Sequence, residues 1–454
     1  MARLFGTDGI RAIANQPPLD PETLVHIGRC LVWRQVEAGF EGRVLIGRDT
    51  RVSGPMLEAA LVAGICSAGG QPVLAGVLPT PAVARLAANR LHCAAVVVSA
   101  SHNPWQYNGV KMIGVNGFKW SEVDEVEFER RVESQHRRAS SEGRTSSAVG
   151  TPHVLSDAGQ WYVDSLVETL AAEGSLTGLR LVIDCANGAA VPVAERLFAR
   201  CGAAVEMLAV TPDGLNINAE CGALYPHHVR ERVLALGAHA GIAFDGDADR
   251  VILVDERGYV LDGDTVLWIL ARALVEAGKL SRPLVVGTIM SNLGLEQALN
   301  GIGVRLVRAP VGDRHVVDMM RREGAPLGGE PSGHVVWLEH TTTGDGLLTA
   351  LAVLQLAVRR QCDLSELRAG LDLVPQVQRN VKVPDPSSAV GRESVQKVLR
   401  AAQTALGASG RLLVRPSGTE PVVRILVEGP EPTELQRWCE EIAAAVSSAS
   451  EPTQ

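Results

Sequence analysis

The sequence predicts an α/β protein: three similar mixed α/β domains around a central cleft, plus a smaller C-terminal α+β domain. Three observations carry this expectation. A strand–helix–strand pattern recurs three times, short apolar strands run into conspicuous polar loops, and the pattern changes after about Val374. At 454 residues the chain is also too long for one compact core.

The first unit begins with RVLIG at 43–47, an apolar run that reads as a buried strand. A polar turn over 48–54 leads into a helix over 55–68, Gly69-Gly70 stops it, and PVLA from Pro72 returns as a strand. Residues 179–208 repeat this order with LRLVID, the turn CANGA, a helix from about Val191, the stop Cys201-Gly202, and AAVEML. Residues 283–307 repeat it again with PLVVGT, the turn MSNLG, a helix to about Asn300, and VRLV. Such a unit is expected to pair its strands in parallel through a right-handed crossover.

Any α/β protein contains units of this kind, so the position of the polar loops decides the reading. AAVVV is followed by SASHNP, AGIAF by DGDADR, and APLGGEPSGH holds the equivalent place in the third unit. Folds of this class put ligands at the carboxyl ends of parallel strands. The expected domains are 1–150 (with a linker from about 136), 151–255, 256–372 and 373–454. Residues 136–157 are rich in Ser, Gly and charge and read as a linker or exposed excursion. The last domain carries VQRNVKVP, a helix over 395–406, RLLVRPSGTEPVVRILVEG and a final helix, ending in a polar tail over 447–454.

Composition excludes several classes of function. No stretch reaches eighteen uncharged apolar residues, so no membrane span is expected, and the first residues lack a signal-peptide core. Eight cysteines stand far apart without a CxxC pair, which argues against a zinc knuckle or a disulfide framework and favours a cytoplasmic protein. A net charge of -8 without a basic block, and only 4% aromatic residues, make a nucleic-acid partner unexpected.

Four loops carry the chemistry. In SASHNP, Ser101 lies deeper in the turn than Ser99 and is the better nucleophile or phosphate carrier, although a capped turn would use the same residues. Adjacent Ser101 and His102 do not make a serine-hydrolase pair, and GxSxG is absent. In DGDADR, the alternating Asp245, Asp247 and Asp249 can converge on one hard cation, Mg²⁺ or Ca²⁺. An EF-hand is excluded because Arg250 stands where Gly is required. GGEPSGH offers Glu330 and Ser332 to sugar hydroxyls or an amine, though a tight turn explains it as well. RPSGTEPVVR combines Arg415 and Arg424 with Ser417, Gly418 and Thr419 in a strand–loop–strand setting suited to phosphate.

Together these motifs resemble the α-D-phosphohexomutase family from FGTDGIR near the start to RPSGTEP near the end. FGTDGIR, GRDTRVSG, GGE-x-SGH and TTTGDGLLTAL look most like the bacterial branch acting on glucosamine phosphates. The resemblance implies interconversion of glucosamine 6-phosphate and glucosamine 1-phosphate through a phosphoserine and a 1,6-bisphosphorylated sugar, supplying UDP-N-acetylglucosamine for the cell wall. It also implies four domains around a cleft. Ser101 would carry the phosphoryl group and, with Asp245, Asp247 and Asp249, hold one Mg²⁺. Arg11, Lys111, Arg250, His102 and His315 would complete the catalytic set, His315 matching a place where relatives vary. Glu330 and Ser332 would bind the sugar, while Arg415, Ser417, Gly418, Thr419 and Arg424 would hold the non-reacting phosphate. The partner would be a small sugar phosphate, with a homodimer left open. Pro331 stands where Gln or Asn is usual, Tyr107 where Asp is usual, and GIRA replaces GIRG, so a phosphomannomutase or phosphoglucomutase is the alternative.

Overall fold

Every residue of the strands Ala94–Val98 and Ala240–Phe244 is buried, as expected for strands covered on both faces. Each runs directly into one of the polar loops singled out above. The computed structural model describes residues 4–6, 8–136, 149–170, 174–417 and 421–448. The expected linker therefore falls largely outside the described residues, as do Gly418, Thr419 and most of the polar tail.

Two compact units divide the chain: Met1–Thr288 with Val307–Ala369, and Ile289–Leu306 with Gly370–Gln454. In the first unit, one sheet has the strand order Ile10–Ile13, Tyr107–Ile113, Ala94–Val98, Arg43–Arg48, Gln71–Val77, His153–Val154. Its last four strands pair in parallel, and Tyr107–Ile113 is antiparallel to both neighbours. A second sheet runs Val260–Leu261, Val251–Asp255, Ala240–Phe244, Arg180–Asp184, Ala204–Leu208. A third brings Leu284–Thr288 parallel to Leu327–Gly329, which pairs antiparallel with Val335–Trp337.

The first sheet shows why these residues take these places. Asp20 caps the helix Pro21–Glu37 by accepting from the Thr23 N–H at 3.0 Å, with Pro21 in the first turn. That helix and Gly54–Ser67 bury Leu24, Ile27, Leu31, Leu57, Leu61 and Ile65 against Val44, Ile46, Val96 and Val98. Burial of this kind stabilises by roughly 1.5–3 kcal/mol per large side chain. Gly64 lets the helices touch: a Cβ there would lie 2.2 Å from the Val25 carbonyl oxygen.

One expected helix starts later than its sequence suggested. The helix expected from about Val191 is Ala194–Arg200. Residues before it are held in turns instead: Ala189 N–H donates to the Gly246 carbonyl at 2.8 Å and Val193 N–H to Ala190 at 3.0 Å. A tertiary contact overrides local helix propensity there.

The second unit is a three-stranded antiparallel sheet with Val422–Glu428 between Gln376–Lys382 and Arg411–Pro416. The helices Glu393–Leu406 and Pro432–Ser448 pack on it through Val395, Leu406, Leu435, Ile442 and Val446. Among the described residues no helix is long and apolar enough to cross a membrane.

Within the first unit, Asp345 joins two elements that sequence separates widely. It caps the helix Gly346–Arg360 by accepting from Leu348 N–H at 2.9 Å, and it accepts the buried Tyr162 hydroxyl at 2.8 Å. Asp345→Ala is expected to cost roughly 2–4 kcal/mol, from the lost cap and a stranded buried hydroxyl. Tyr162→Phe should cost only about 1 kcal/mol. Urea unfolding midpoints check the order, and a larger loss for Tyr162→Phe would contradict it.

Candidate active site

Ser101 has a left-handed backbone, φ +52°, three residues beyond Val98. Such a conformation costs a non-glycine residue about 1–2 kcal/mol and needs surroundings that hold it. Its hydroxyl donates to Asp245 Oδ2 at 2.6 Å, and Asp245 directly follows Phe244 at the end of the second sheet's central strand. The two strand ends meet through main chain. Gly246 sits so close that a Cβ on it would lie 2.5 Å from the Ser101 carbonyl oxygen.

Asp245, Asp247 and Asp249 present carboxylate oxygens within 4.8 Å of one another, all of them buried. Lys111 is their main counterion, at 2.7 Å from Asp247 Oδ2, 3.3 Å from Asp249 Oδ2 and 3.4 Å from Asp8 Oδ2. Thr80 adds a hydroxyl to Asp247 Oδ2 at 2.5 Å, and Arg250 N–H reaches Asp245 Oδ1 at 3.2 Å. Arg11 pairs with Asp8.

These contacts set Asp245 and Asp247 apart. Burial and the neighbouring Asp249 and Asp247 charges push Asp245 well above the usual carboxylate range. Burial acts on Asp247 in the same direction, but Lys111, Thr80 and Lys119 outweigh it and hold Asp247 below that range. Burial would lower Lys111, yet Asp247, Asp8 and Asp249 raise it, so it stays cationic. His102 Nδ1 stands 3.4 Å from the Ser101 hydroxyl, and burial with the Arg250 and Arg11 charges pushes it down to about 4. At neutral pH His102 is an uncharged ring.

A cation fits this site. Asp247 Oδ1 and Asp249 Oδ1 are buried without a hydrogen-bond partner, and the donors are hard oxygens. The three aspartates can thus hold a metal ion, which would relieve the repulsion that raises Asp245.

The third sheet supplies a second wall. Glu330 is buried, and its Oε1 accepts from Gly312 N–H at 2.9 Å, while Ser332 is exposed. Main-chain bonds pin the loop: Glu330 N–H to His334 O, Gly333 N–H to Glu330 O and Val251 N–H to Gly333 O. Gly263 N–H donates to Pro331 O at 3.0 Å. Each of these bonds does without an N–H at position 331, so Pro331 fits the loop at no cost in hydrogen bonding.

Sequence reasoning missed several members of the network. Lys119 joins Asp8 and Asp313, and His334 Nε2 lies 3.7 Å from Asp313 Oδ2 and 4.0 Å from Asp249 Oδ2. His315 is exposed on the helix Asp313–Glu323 and, among the described residues, takes no part in this network. His334, buried in the GGEPSGH loop, is the histidine beside these carboxylates. Asp8 lay inside a quoted motif, FGTDGIR, and Asp313 two residues before His315, but nothing local marked them as partners of a lysine.

In the second unit, Arg415 and Arg424 face each other across the hairpin in direct register. Burial and then the Arg424 charge lower Arg415, whose Nε is buried without a partner. Two guanidinium groups opposed in this way form a site that an anion would stabilise.

Fold and site together define a phosphoryl-transfer enzyme on an α/β scaffold: a serine poised on a metal-competent carboxylate triad, ringed by fixed cations. Comparison with known proteins agrees. The descriptions Phosphoglucomutase/phosphomannomutase alpha/beta/alpha domain I, II and III match residues 2–139, 160–258 and 262–373, and the family's C-terminal domain matches 379–445. The chain belongs to the phosphoglucomutase/phosphomannomutase family, the α-D-phosphohexomutases. It is 46% identical to the phosphoglucosamine mutase of Alkalilimnicola ehrlichii, covering 98% of this chain and 97% of the relative. It is 47% identical to that of Moorella thermoacetica, covering 96% and 97%. A crystal structure of a family member from Burkholderia thailandensis shares 26% identity with a TM-score of 0.82, covering 100% of this chain and 98% of the other.

The raised Asp245 has a consequence for stability. Its folded pKa lies above its unfolded value, so in the cation-free protein stability falls as pH rises past the unfolded value, and the cost is complete once pH exceeds the raised one. Asp245→Asn keeps an acceptor for Ser101 and removes the repelling charge. Without divalent cation at neutral pH, this variant is expected to be more stable than the parent. It should also lose most of the cation-induced rise in melting temperature. Thermal melts with and without Mg²⁺ test both; a cation-free variant no more stable than the parent would refute the repulsion.

Proposed function

We propose that the protein interconverts glucosamine 6-phosphate and glucosamine 1-phosphate through a phosphoserine at Ser101 and a 1,6-bisphosphorylated intermediate. The observation that carries this reading is the Ser101 hydroxyl, held 2.6 Å from Asp245 in a buried ring of fixed charge. The full-length similarity to phosphoglucosamine mutases supports the amino-sugar substrate.

In this reading, phospho-Ser101 gives its phosphoryl group to the free hydroxyl of a bound sugar monophosphate. The bisphosphate turns over and returns its other phosphoryl to Ser101. Lys111, Arg11 and Arg250 neutralise charge on the group in flight, the contribution on which phosphoryl transfer chiefly depends. Ser101 with Asp245, Asp247 and Asp249 would hold one Mg²⁺, which when bound withdraws charge from the phosphoryl oxygens. Uncharged His102 lies beside the serine oxygen without adding to the positive field. His315, exposed, is assigned no step. Glu330 and Ser332 bind sugar hydroxyls or the amine, and Pro331 changes no hydrogen bond that shapes their loop. Arg415, Ser417, Gly418, Thr419 and Arg424 of the second unit hold the phosphate that does not react. The ligand is a small sugar phosphate and the setting cytoplasmic.

Ser101→Ala is expected to lower turnover at least about 10⁴-fold, since a nucleophile is lost outright, with the melting temperature retained. Intact mass after incubation with glucose 1,6-bisphosphate should show one added phosphoryl group on the parent and none on the variant. Substantial turnover by Ser101→Ala would sink the phosphoserine reading. On Mg²⁺-loaded protein, kcat/KM should favour glucosamine 1-phosphate over glucose 1-phosphate and mannose 1-phosphate by at least about tenfold, because a buried carboxylate rewards an ammonium partner. Preference for a neutral hexose would move the protein to a sister activity within the family.

A further inference from the structure

Ser101 is gripped through both of its main-chain polar groups, and the groups doing so belong to none of the roles above. Its N–H donates to Ser99 Oγ at 3.0 Å. Ser99 in turn donates its one hydroxyl proton to Asp49 Oδ2 at 2.7 Å. Ser99 and Asp49 are both 0% exposed. With its proton committed and no access to solvent, Ser99 is no rival nucleophile; its oxygen is a fixed acceptor.

The Ser101 carbonyl is held by Arg51, also 0% exposed, and by Asn218. Arg51 has five N–H donors and uses each once. Nε goes to Asp49 Oδ2 at 2.8 Å, Nη2 to the carbonyls of Ser101 and Asn103 at 2.9 and 2.8 Å, and Nη1 to those of Pro104 and Tyr107 at 2.5 and 3.1 Å. Asp49 Oδ1 also accepts the Arg51 N–H at 3.0 Å. The residues 49, 51 and 99 thus close a ring around the loop, and Asn218 reaches in from the loop that follows Ala204–Leu208 to the carbonyls of Ser101 and Asn103, at 2.9 and 3.1 Å.

Given the phosphoserine reading on which this rests, we propose that Ser99, fixed by Asp49 and Arg51, is a positioning residue that sets the reactive geometry of Ser101. The left-handed backbone of Ser101 persists only while its surroundings over-determine it. Without the Ser99 oxygen, a buried N–H loses its acceptor and the loop gains a reason to relax toward negative φ. That rotation carries the Ser101 hydroxyl away from Asp245. Displacement of a reacting atom by about 1 Å can cost on the order of 10²-fold in rate.

The experiment compares Ser99→Thr with Ser99→Val, which add the same bulk and differ in the hydroxyl alone. Steady-state turnover of glucosamine 1-phosphate is read with the rate of Ser101 phosphorylation by glucose 1,6-bisphosphate, followed by intact mass. Ser99→Val is expected to lose about 10- to 100-fold in kcat and in phosphorylation rate, with KM within about threefold. Ser99→Thr should restore both rates to within about threefold of the parent. Assays run well below the melting temperature of each variant, so a merely structural defect leaves kcat per folded molecule unchanged. Equal kcat for Val and Thr, or a loss confined to KM, overturns the proposal. Should Ser99→Val not fold, Ser99→Ala, which adds no bulk, decides by the same criteria. Ser101→Ala measured alongside separates the two failures. If it is inactive while Ser99→Val keeps full turnover, only the positioning role falls; if it is active, both readings fall.

Discussion

Three aspartates buried within one another's field are the constraint around which the first unit is organised. Their repulsion has to be met by cations from elsewhere in the chain, and each cation arrives by a different structural route. Lys111 comes through register: it lies opposite Val97 in the antiparallel pairing of Tyr107–Ile113 with Ala94–Val98, whose far end leads to Ser101. One slip of that pairing would turn Lys111 to the opposite face of the sheet. Arg250 comes with the carboxylates themselves, as the next residue of their loop. Lys119 ties Asp8 and Asp313 together at the edge of the same field. The result is a set of carboxyls that do not ionise alike, which is what a site that alternately holds and releases a charged group requires.

Much of this was legible in the sequence, for identifiable reasons. DGDADR and SASHNP declared themselves because each packs its chemistry into consecutive residues at a strand end, and the recurring strand–helix–strand units supplied the scaffold. What escaped was everything that depends on distant elements meeting. Asp8, Lys119, Asp313 and His334 lie on separate segments, Asp313 opening a helix, and no periodicity links them. His315 entered through the resemblance and stands exposed on its helix, while His334 is enclosed. Arg51 was the hardest to see. An arginine in a polar turn reads as a surface residue, and only the fold shows five carbonyl and carboxylate oxygens arranged to receive it. The late start of Ala194–Arg200 has a similar origin, because Gly246 claims the N–H of Ala189.

The GGEPSGH loop shows the opposite case, a sequence departure with little structural effect. Pro331 removes a side-chain amide and a backbone donor. In the fold, the donors that shape the loop belong to Glu330, Gly333 and Val251, and position 331 contributes an oxygen. Loss of an N–H is harmless where none was in use, and Glu330 keeps its anchor on Gly312.

The approach of Gly246 to the Ser101 carbonyl, with Gly188 pressed against Gly246 from the other side, is main chain against main chain. A side chain at either glycine would force the two apart. The two strand ends are therefore inherited as a mated pair: their loop lengths constrain each other, though 145 positions apart in numbering. Chimeras assembled from relatives will tolerate crossovers elsewhere in the first unit far better than one that takes the serine loop and the aspartate loop from parents with different loop lengths.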